Sequence, residues 1–211
     1  MVIVLLGPPG AGKGTQGERL AERLSIPKVA TGDVLRAALK AGTGLGLKAK
    51  AFMDAGDLVP DAVILGIMKE ALGLPNAANG AILDGVVRTV PQAEGLNAVL
   101  AELHRPLDAV VVFNISDDEL VERLSGRTTC DSCQTPFNGR QPGTKCPKCG
   151  GTLVRRADDE PDAVRRRLAV YQAQTKPVIA WYRKQGARVV EINAVGPLDT
   201  VCERVVGALA A

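Results

Sequence analysis

Short apolar runs alternate with amphipathic stretches along most of the chain. Unbroken runs of about four to eight apolar residues are typical of strands that are buried on both faces. One such run predicts a strand over residues 2–6, and shorter or interrupted apolar segments predict strands over residues 25–30, 81–84, 109–115 and 188–192.

Apolar residues that recur every three to four positions predict helices between these strands. Thr31 is the predicted N-cap of one helix, and Ser116 with Glu119 forms the predicted capping box of another. Pro177 is expected to bend or break the longest helical stretch. The predicted helices cover residues 16–24, 34–39, 47–53, 61–72, 91–103, 116–124, 161–184 and 197–209.

Strands that alternate with helices predict an α/β fold, an open five-stranded parallel sheet with helices on both faces. Two segments do not follow the alternation. Residues 30–59 are helical without a strand, and residues 127–158 have no regular pattern. We interpret both as inserts, so the predicted core domain consists of residues 1–29, 60–126 and 159–211.

A glycine-rich loop joins the first predicted strand to the first predicted helix. Gly7, four intervening residues, Gly12 and Lys13 form the pattern of a phosphate-binding P-loop. Glycines let the backbone turn tightly and bring N–H groups close to an anion, and the helix N-terminus adds partial positive charge. The general pattern has Ser or Thr directly after the lysine, whereas here Gly14 stands there and Thr15 follows. The loop predicts a nucleotide-binding fold of the P-loop NTPase type.

The second insert carries two Cys-x2-Cys pairs, Cys130 with Cys133 and Cys146 with Cys149. Four thiolates at this spacing match a structural zinc site of the zinc-ribbon type. A bound metal would replace the apolar core that about thirty residues cannot build. Because four thiolates leave no open position, we expect no chemical role for the zinc. The fifth cysteine, Cys202, lies on an apolar helix face and is expected to be a core residue.

The composition is that of a globular protein with one large domain, or one domain with inserts. The chain has 211 residues, of which 46% are hydrophobic, and a formal net charge of +3. That charge is too small to favour a nucleic-acid-binding protein, and no segment approaches the about 20 apolar residues of a membrane span. No basic residue precedes the first apolar run, so we expect no signal peptide and a cytoplasmic location. Cysteines in that compartment favour metal binding over disulfides.

Positive charge is concentrated between residues 127 and 167, which include nine basic and five acidic residues. Phosphoryl transfer needs such a concentration, because charge on the transferring oxygens must be balanced while water is excluded. For Arg165 and Arg166, the alternative that they only solvate a helix face stays open.

Further motifs lie outside the loop and the cysteine pairs, at residues 31–36, 57–59, 83–85, 88–89 with Gln92, 126–127, 156–159 and 165–168. Together, the motifs resemble the adenylate kinases of the long, zinc-binding-lid type along nearly the whole chain. That resemblance implies a helical AMP-binding insert at residues 30–59 and a zinc-ribbon lid over ATP at residues 127–158. It also implies reversible transfer of the terminal phosphoryl group of Mg-ATP to AMP, giving two ADP, with the lid closing over the site.

The resemblance further implies a role for individual residues. The residues that would bind ATP are Gly10, Ala11, Gly12, Lys13, Gly14, Thr15, Arg123, Arg127, Phe137 and Gly196. The residues that would bind AMP are Thr31, Arg36, Asp57, Leu58, Val59, Gly85, Arg88, Gln92, Arg156 and Arg167. The catalytic residues would be Lys13, Arg88, Arg127, Arg156 and Arg167, together with Asp84, which would hold Mg²⁺ through water.

One position departs from the family pattern, because Val86 and Val87 stand where the family usually has Phe-Pro. We expect weaker AMP binding or a looser AMP-binding insert as a result. Two alternatives stay open: a kinase for UMP, CMP or GMP, and a nucleotide-gated zinc-ribbon protein that binds nucleic acid. Thr31 and Gln92 favour AMP, and the scarcity of aromatic residues near the cysteines disfavours nucleic acid. We expect no nucleic-acid or membrane partner, and a monomer is the default expectation for the oligomeric state.

Overall fold

The five-stranded parallel sheet predicted from the sequence is present. The structure, a computed structural model, describes residues 1–210 and the side chains of all of these except Leu45. Its strands are β1 (Val2–Leu6), β2 (Lys28–Ala30), β3 (Ala81–Asp84), β4 (Ala109–Asn114), β5 (Arg127–Cys130), β6 (Pro136–Asn138), β7 (Leu153–Val154) and β8 (Val189–Asn193). The main sheet has the order β2-β3-β1-β4-β8, and its neighbouring strands are parallel.

Helices connect the strands of the main sheet. They are α1 (Lys13–Leu24), α2 (Thr31–Lys40), α3 (Gly44–Ala55), α4 (Asp61–Gly73), α5 (Val90–Glu102), α6 (Asp117–Ser125), α7 (Pro161–Val170), α8 (Lys176–Lys184) and α9 (Leu198–Ala210). Pro75–Ala77 and Ala157–Asp159 are short 3-10 helices, and Tyr171–Thr175 is a π-helical turn. Among the described residues, none of these helices has both the length and the apolar character needed to cross a membrane.

The two faces of the main sheet are buried in separate apolar clusters, because successive strand side chains point in opposite directions. In β1, Val4 belongs to the cluster formed with α4, α5 and α8, whereas Leu5 belongs to the cluster formed with α1 and α9. Cys202 of α9 lies in the second cluster and is 6% exposed, which confirms that it is a core residue.

The carboxyl ends of the parallel strands meet at one edge of the main sheet. Leu5 of β1 is in register with Asp84, the last residue of β3. Ala30, the last residue of β2, is also in register with Asp84 and leads directly into α2. The segments that follow β1, β2 and β3 therefore begin side by side, as binding segments do in open α/β sheets.

Residues 30–59 form α2 and α3, and α2 packs against α4 through a small apolar cluster that includes Leu35 and Ile64. The prediction that Thr31 is the N-cap of this insert's first helix is wrong. Ala30 is the N-cap, and Thr31 is already helical. The Thr31 hydroxyl instead donates to the Gly85 carbonyl at 2.9 Å, because the end of β3 lies within its reach.

The interpretation of residues 127–158 as irregular is wrong for part of that segment, where β5, β6 and β7 form an antiparallel sheet in the order β6-β5-β7. Thr128 pairs with Phe137, and Cys130 pairs with Leu153. Strands as short as these contain too few residues to produce a recognisable apolar alternation.

Two local predictions are met only in part. The helical stretch predicted over residues 161–184 changes from α-helical to π-helical over Tyr171–Thr175, directly before α8, and Pro177 is in the first turn of α8; a bend at Pro177 itself stays a prediction. The capping box is half formed. The Ser116 hydroxyl accepts from the Glu119 N–H at 3.4 Å, but the Glu119 carboxylate binds Arg123 instead of the Ser116 backbone.

Candidate functional site

The glycine loop turns sharply between β1 and α1 at the carboxyl edge of the main sheet. Gly10 and Gly12 have φ angles of 87° and 89°, a left-handed conformation that favours glycine. Because α1 begins at Lys13, the unpaired N–H groups of its first turn lie at the loop. The Lys13 ammonium donates to the carbonyl oxygens of Gly7 at 2.7 Å and Pro8 at 2.9 Å. The loop is therefore an anion-binding turn with an ammonium group beside it.

The loop forms one wall of a cavity of about 490 Å³. The residues that the family resemblance assigns to binding and catalysis all line this cavity. They are Gly10, Ala11, Gly12, Lys13, Gly14, Thr15, Thr31, Arg36, Asp57, Leu58, Val59, Asp84, Gly85, Arg88, Gln92, Arg123, Arg127, Phe137, Arg156, Arg167 and Gly196. Widely separated parts of the chain thus meet in one place.

The Lys13 ammonium lies in an enclosed and strongly charged environment. Burial lowers its pKa to about 8, and Asp84 opposes that change. Arg88, Arg167 and Arg127 lower the pKa further, because like charges disfavour the protonated form. A bound phosphate would have the opposite effect and favour the charged lysine.

Several arginines from other segments of the chain line the same cavity. Burial lowers the pKa of Arg156 to about 10, and Arg36 and Arg127 act in the same direction. Burial, followed by Arg167, also lowers the pKa of Arg88. The Nε atoms of Arg36 and Arg156 are buried and have no hydrogen-bond partner in the part of the chain that the structure describes. Such a group of cations is suited to bind anions.

Two aspartates, the buried Asp159 and the partly buried Asp158, hold the arginines in place, and sequence reasoning assigned them no role. Arg127 forms a bidentate ion pair with the fully buried Asp159. The Arg167 Nη1 atom lies 3.1 Å from a carboxylate oxygen of each of Asp158 and Asp159. Burial acts to raise the pKa of Asp158, but Arg167 and Arg156 are among the cations that together lower it below its ordinary value. The sequence signal for these aspartates was the run 156–159, in which Asp158 and Asp159 closely follow Arg156, a residue that the family resemblance assigns to the site.

On the side of the cavity formed by α2 and the end of β3, hydrogen bonds orient the Gln92 side chain and an ion pair orients the Arg36 side chain. The Gln92 Oε1 atom accepts from the Arg88 N–H at 2.7 Å, and its Nε2 atom donates to Asp61 at 2.7 Å. The Gln92 amide keeps one donor and one acceptor position for a ligand. The Arg36 guanidinium pairs with Asp33. Asp33 and Asp61 are further residues that the sequence did not single out.

Val86 and Val87, which depart from the family pattern, are each 1% exposed and pack in the cluster around α4, α5 and α8. They therefore contribute to the core instead of forming a wall of the main cavity. The expected effect on AMP binding stays a prediction.

The four cysteines of the second insert lie together at the end of β5 and in the turns beside it. Their Sγ atoms all lie within 4.8 Å of one another. The Cys130–Cys149 and Cys133–Cys146 sulfur atoms are 3.4 and 3.8 Å apart. Four sulfur ligands of a tetrahedral zinc ion, with Zn–S bonds of about 2.3 Å, would be about 3.8 Å apart. The cluster therefore fits a tetrahedral metal ion.

A buried strand, a glycine loop and a helix that begins at a lysine define the P-loop class of nucleotide-binding proteins. The cavity adds a feature that the loop alone does not provide, because it is also lined by arginines that come from other segments of the chain. The class is therefore one in which a nucleotide phosphate at the loop meets a second anion.

Comparison with known proteins narrows this class to one family. A family model described as adenylate kinase matches residues 5–187. An adenylate kinase of Gemmatimonas aurantiaca is 69% identical over 211 residues, which are 99% of this chain and 99% of that protein. Adenylate kinases of Syntrophobacter fumaroxidans and Methanosarcina barkeri are 48% and 45% identical, over 99% and 97% of this chain and 100% and 96% of theirs. The chain belongs to the adenylate kinase family.

Proposed function

We propose that this chain catalyses reversible transfer of the terminal phosphoryl group of Mg-ATP to AMP, giving two ADP. The observation that carries this proposal is that the glycine loop and the arginines of two other segments line one cavity. A phosphate loop alone would serve any nucleoside triphosphatase. A second set of guanidinium groups, from Arg36 and Arg88, suits the phosphate of an acceptor nucleotide, because the guanidinium fork matches phosphate oxygens in pairs.

ATP occupies the side of the cavity formed by the glycine loop and the lid. The backbone of residues 10–15 binds its phosphates, and Lys13 stays close to the transferring group. Arg127 contributes a further positive charge to the phosphates. Arg123, Phe137 and Gly196 are proposed to contact the base.

AMP occupies the side formed by α2, the end of α3 and the end of β3. Arg36 and Arg88 bind its phosphate, and Arg156 and Arg167 lie between the two nucleotides. The nucleoside is proposed to lie against Thr31, Asp57, Leu58, Val59, Gly85 and Gln92. The Thr31 hydroxyl supports this wall through its hydrogen bond to the Gly85 carbonyl.

The reaction consists of one in-line displacement. An oxygen of the AMP phosphate attacks the γ-phosphorus of ATP, and the bond from that phosphorus to the oxygen bridging it to the β-phosphate breaks. An AMP phosphate that is already ionised needs no general base, so catalysis depends on positioning and on charge stabilisation. Arg88, Arg156 and Arg167 stabilise the charge on the transferring oxygens.

Magnesium would be held near the glycine loop. The Asp84 carboxylate lies against the loop, since a Cβ added at Gly14 would be 3.2 Å from the Asp84 Oδ2 atom. A carboxylate beside a phosphate loop is the kind of ligand that Mg²⁺ prefers, directly or through water. When bound, the ion supplies further neutralisation of the phosphate charge.

The two inserts are proposed to close over the cavity and exclude water. The proposed divisions are a core of residues 1–29, 60–126 and 159–211, an AMP-binding insert of residues 30–59 and a lid of residues 127–158. The Lys40 ammonium of the insert donates to the Asp131 carbonyl of the lid at 3.0 Å.

Arg166 forms an exposed bidentate pair with Asp57 of the insert, and Arg165 pairs with Asp162 on its own helix. Neither arginine lines the cavity, so solvation of a helix face with local pairing is the proposed role of Arg165, whereas Arg166 is proposed to link that face to the insert through Asp57.

Initial rates with a series of acceptors test the proposed function. Purified protein, ATP and Mg²⁺ should form ADP rapidly with AMP, and far more slowly with UMP, CMP or GMP. A clear preference for another monophosphate would support the rival kinase. No transfer to any acceptor, together with retention of RNA or single-stranded DNA on the protein, would support the nucleic-acid-binding alternative.

The pH dependence should report the low pKa of Lys13. Because that pKa is about 8 in the free enzyme, kcat/KM for ATP should fall as pH rises through about 8. A bound phosphate raises the pKa of Lys13, so kcat should stay constant up to a higher pH than kcat/KM does. Initial rates at constant ionic strength measure both profiles. A kcat/KM that stays constant up to about pH 10 would contradict this assignment.

Zinc is proposed to occupy the four-cysteine cluster and to stabilise the lid. Removal of the metal with a chelator should produce a separate melting transition of the lid below the transition of the main sheet. Calorimetry and metal analysis of the same sample test this, and one zinc ion per chain is expected. The Cys202→Ala variant is the matched control and should keep its zinc. A chelated protein with an unchanged melting profile would rule out this role.

The protein is further proposed to act as a cytoplasmic monomer without a nucleic-acid partner. Four thiols arranged around a metal position, instead of disulfides, favour a reducing compartment. The proposed ATP and AMP sites are formed by groups of one chain, so catalysis needs no second copy. Light scattering during turnover measures the oligomeric state.

A further inference from the structure

The loop between β8 and α9, residues 193–198, forms one wall of the cavity and is held by side chains from outside it. The Arg204 Nη1 atom of α9 donates to the carbonyl oxygens of Asn193 at 2.9 Å and Val195 at 2.7 Å. The Arg123 Nη2 atom of α6 donates to the Ala194 carbonyl at 3.0 Å. Three successive carbonyl groups of the 193–198 loop are therefore occupied by two arginines.

Two further carbonyl groups of the 193–198 loop also accept hydrogen bonds, one from a side chain and one from a backbone N–H. The Gln16 Nε2 atom of α1 donates to the Leu198 carbonyl at 3.0 Å, and the Pro197 carbonyl accepts from the Val201 N–H at 3.1 Å. Within the described residues, the Gly196 carbonyl is the one carbonyl of this loop without a hydrogen-bond partner.

The backbone of Gly196 leaves this carbonyl accessible. Gly196 has a φ angle of 117°, lacks a side chain and lines the cavity. The 193–198 loop therefore offers a ligand one backbone acceptor that no group of the described chain engages. A carbonyl acceptor binds the amino group of a 6-aminopurine, whereas it repels the oxygen of a 6-oxopurine.

We propose that Arg204 is a positioning residue that sets the base preference of the donor site. By donating to the Asn193 and Val195 carbonyls from the solvent side, Arg204 fixes the backbone so that the unengaged Gly196 carbonyl is presented to the base. Arg204 itself is exposed and does not line the cavity. This inference rests on the proposed function, because it concerns the nucleotide that donates the phosphoryl group.

The test compares Arg204→Met with two matched variants. Arg204→Lys keeps a cation whose Nζ can donate to both carbonyls. Arg188→Met removes another exposed arginine, which donates to the Ala208 carbonyl at 2.8 Å at the opposite end of α9. Initial rates are measured with ATP or GTP varied at saturating AMP, and with AMP varied at saturating ATP. Melting temperatures confirm that each variant is folded.

Arg204→Met should raise KM for ATP by about tenfold and change kcat and KM for GTP by less than about twofold. The ratio of kcat/KM for ATP to that for GTP should therefore fall by about tenfold. KM for AMP should stay unchanged, which separates this effect from a general loosening of the fold. Arg204→Lys should restore most of the preference, and Arg188→Met should leave it unchanged.

The inference is overturned if Arg204→Met retains the wild-type preference for ATP. It is also overturned if Arg188→Met loses that preference equally, or if KM for AMP rises in parallel. An active wild-type enzyme with any of these results removes the inference alone. A wild-type protein that forms no ADP from ATP and AMP removes the proposed function and the inference with it.

Discussion

Replacing Lys13 by methionine is expected to lower kcat by about a thousandfold, because a charge next to the transferring phosphoryl group is lost. The same change should not destabilise the protein. Burial lowers the pKa of Lys13 to about 8, so the folded state holds this ammonium at a free-energy cost that methionine does not carry. Initial rates at saturating substrates and thermal unfolding of the same sample measure both effects.

The matched control for this variant is Lys69→Met, which removes an exposed lysine paired with Glu102 outside the cavity. Its kcat should equal that of the wild type. A Lys13→Met enzyme that keeps kcat within about tenfold of the wild type would show that Lys13 does not act on the transferring group. A rate loss that accompanies unfolding would instead assign Lys13 a structural role.

Replacing Asp159 by asparagine is expected to lower the free energy of unfolding by about 3–5 kcal/mol. Asp159 is fully buried and accepts hydrogen bonds from Arg127 and Arg167, so the variant leaves two largely buried cations without this counter-charge. For a chain of this length, such a loss corresponds to a melting temperature lower by roughly 10 °C. Calorimetry measures the change directly.

The control for this second prediction is Asp162→Asn, which removes an aspartate paired with Arg165 on the surface. The Asp162 side chain is 94% exposed. Because exposed pairs contribute little, its melting temperature should change by no more than about 2 °C. Equal effects of the two variants would mean that burial of the Asp159 pair is not what stabilises this part of the site.

Features encoded by neighbouring residues could be predicted from the sequence. The apolar run of β1, the glycines after it and Lys13 are adjacent in the chain, so strand, loop and helix followed from the pattern alone. The same holds for the cysteine pairs, whose spacing reflects the geometry of a metal ion. The order of the strands was not predicted, and the convergence of the arginines was expected only from the family resemblance, because no local pattern specifies either.

Features that depend on contacts between distant segments could not be predicted. Arg127 and Asp159 are 32 positions apart, and their ion pair leaves no periodic signal in either segment. The Thr31 hydroxyl has a partner 54 positions away at Gly85, and that contact overrides its local capping preference. The short strands β5, β6 and β7 are stabilised by pairing and by the cysteine cluster, and their own apolar pattern is too brief to identify them.

The most direct test uses a compound in which two adenosines are joined through five phosphates. Guanidinium and backbone N–H groups from separate segments are proposed to bind two nucleotides end to end in one cavity. Calorimetric titration should therefore show one molecule bound per chain, with ATP and AMP each able to displace it. Binding of two molecules per chain, or displacement by only one of the two nucleotides, would contradict the account.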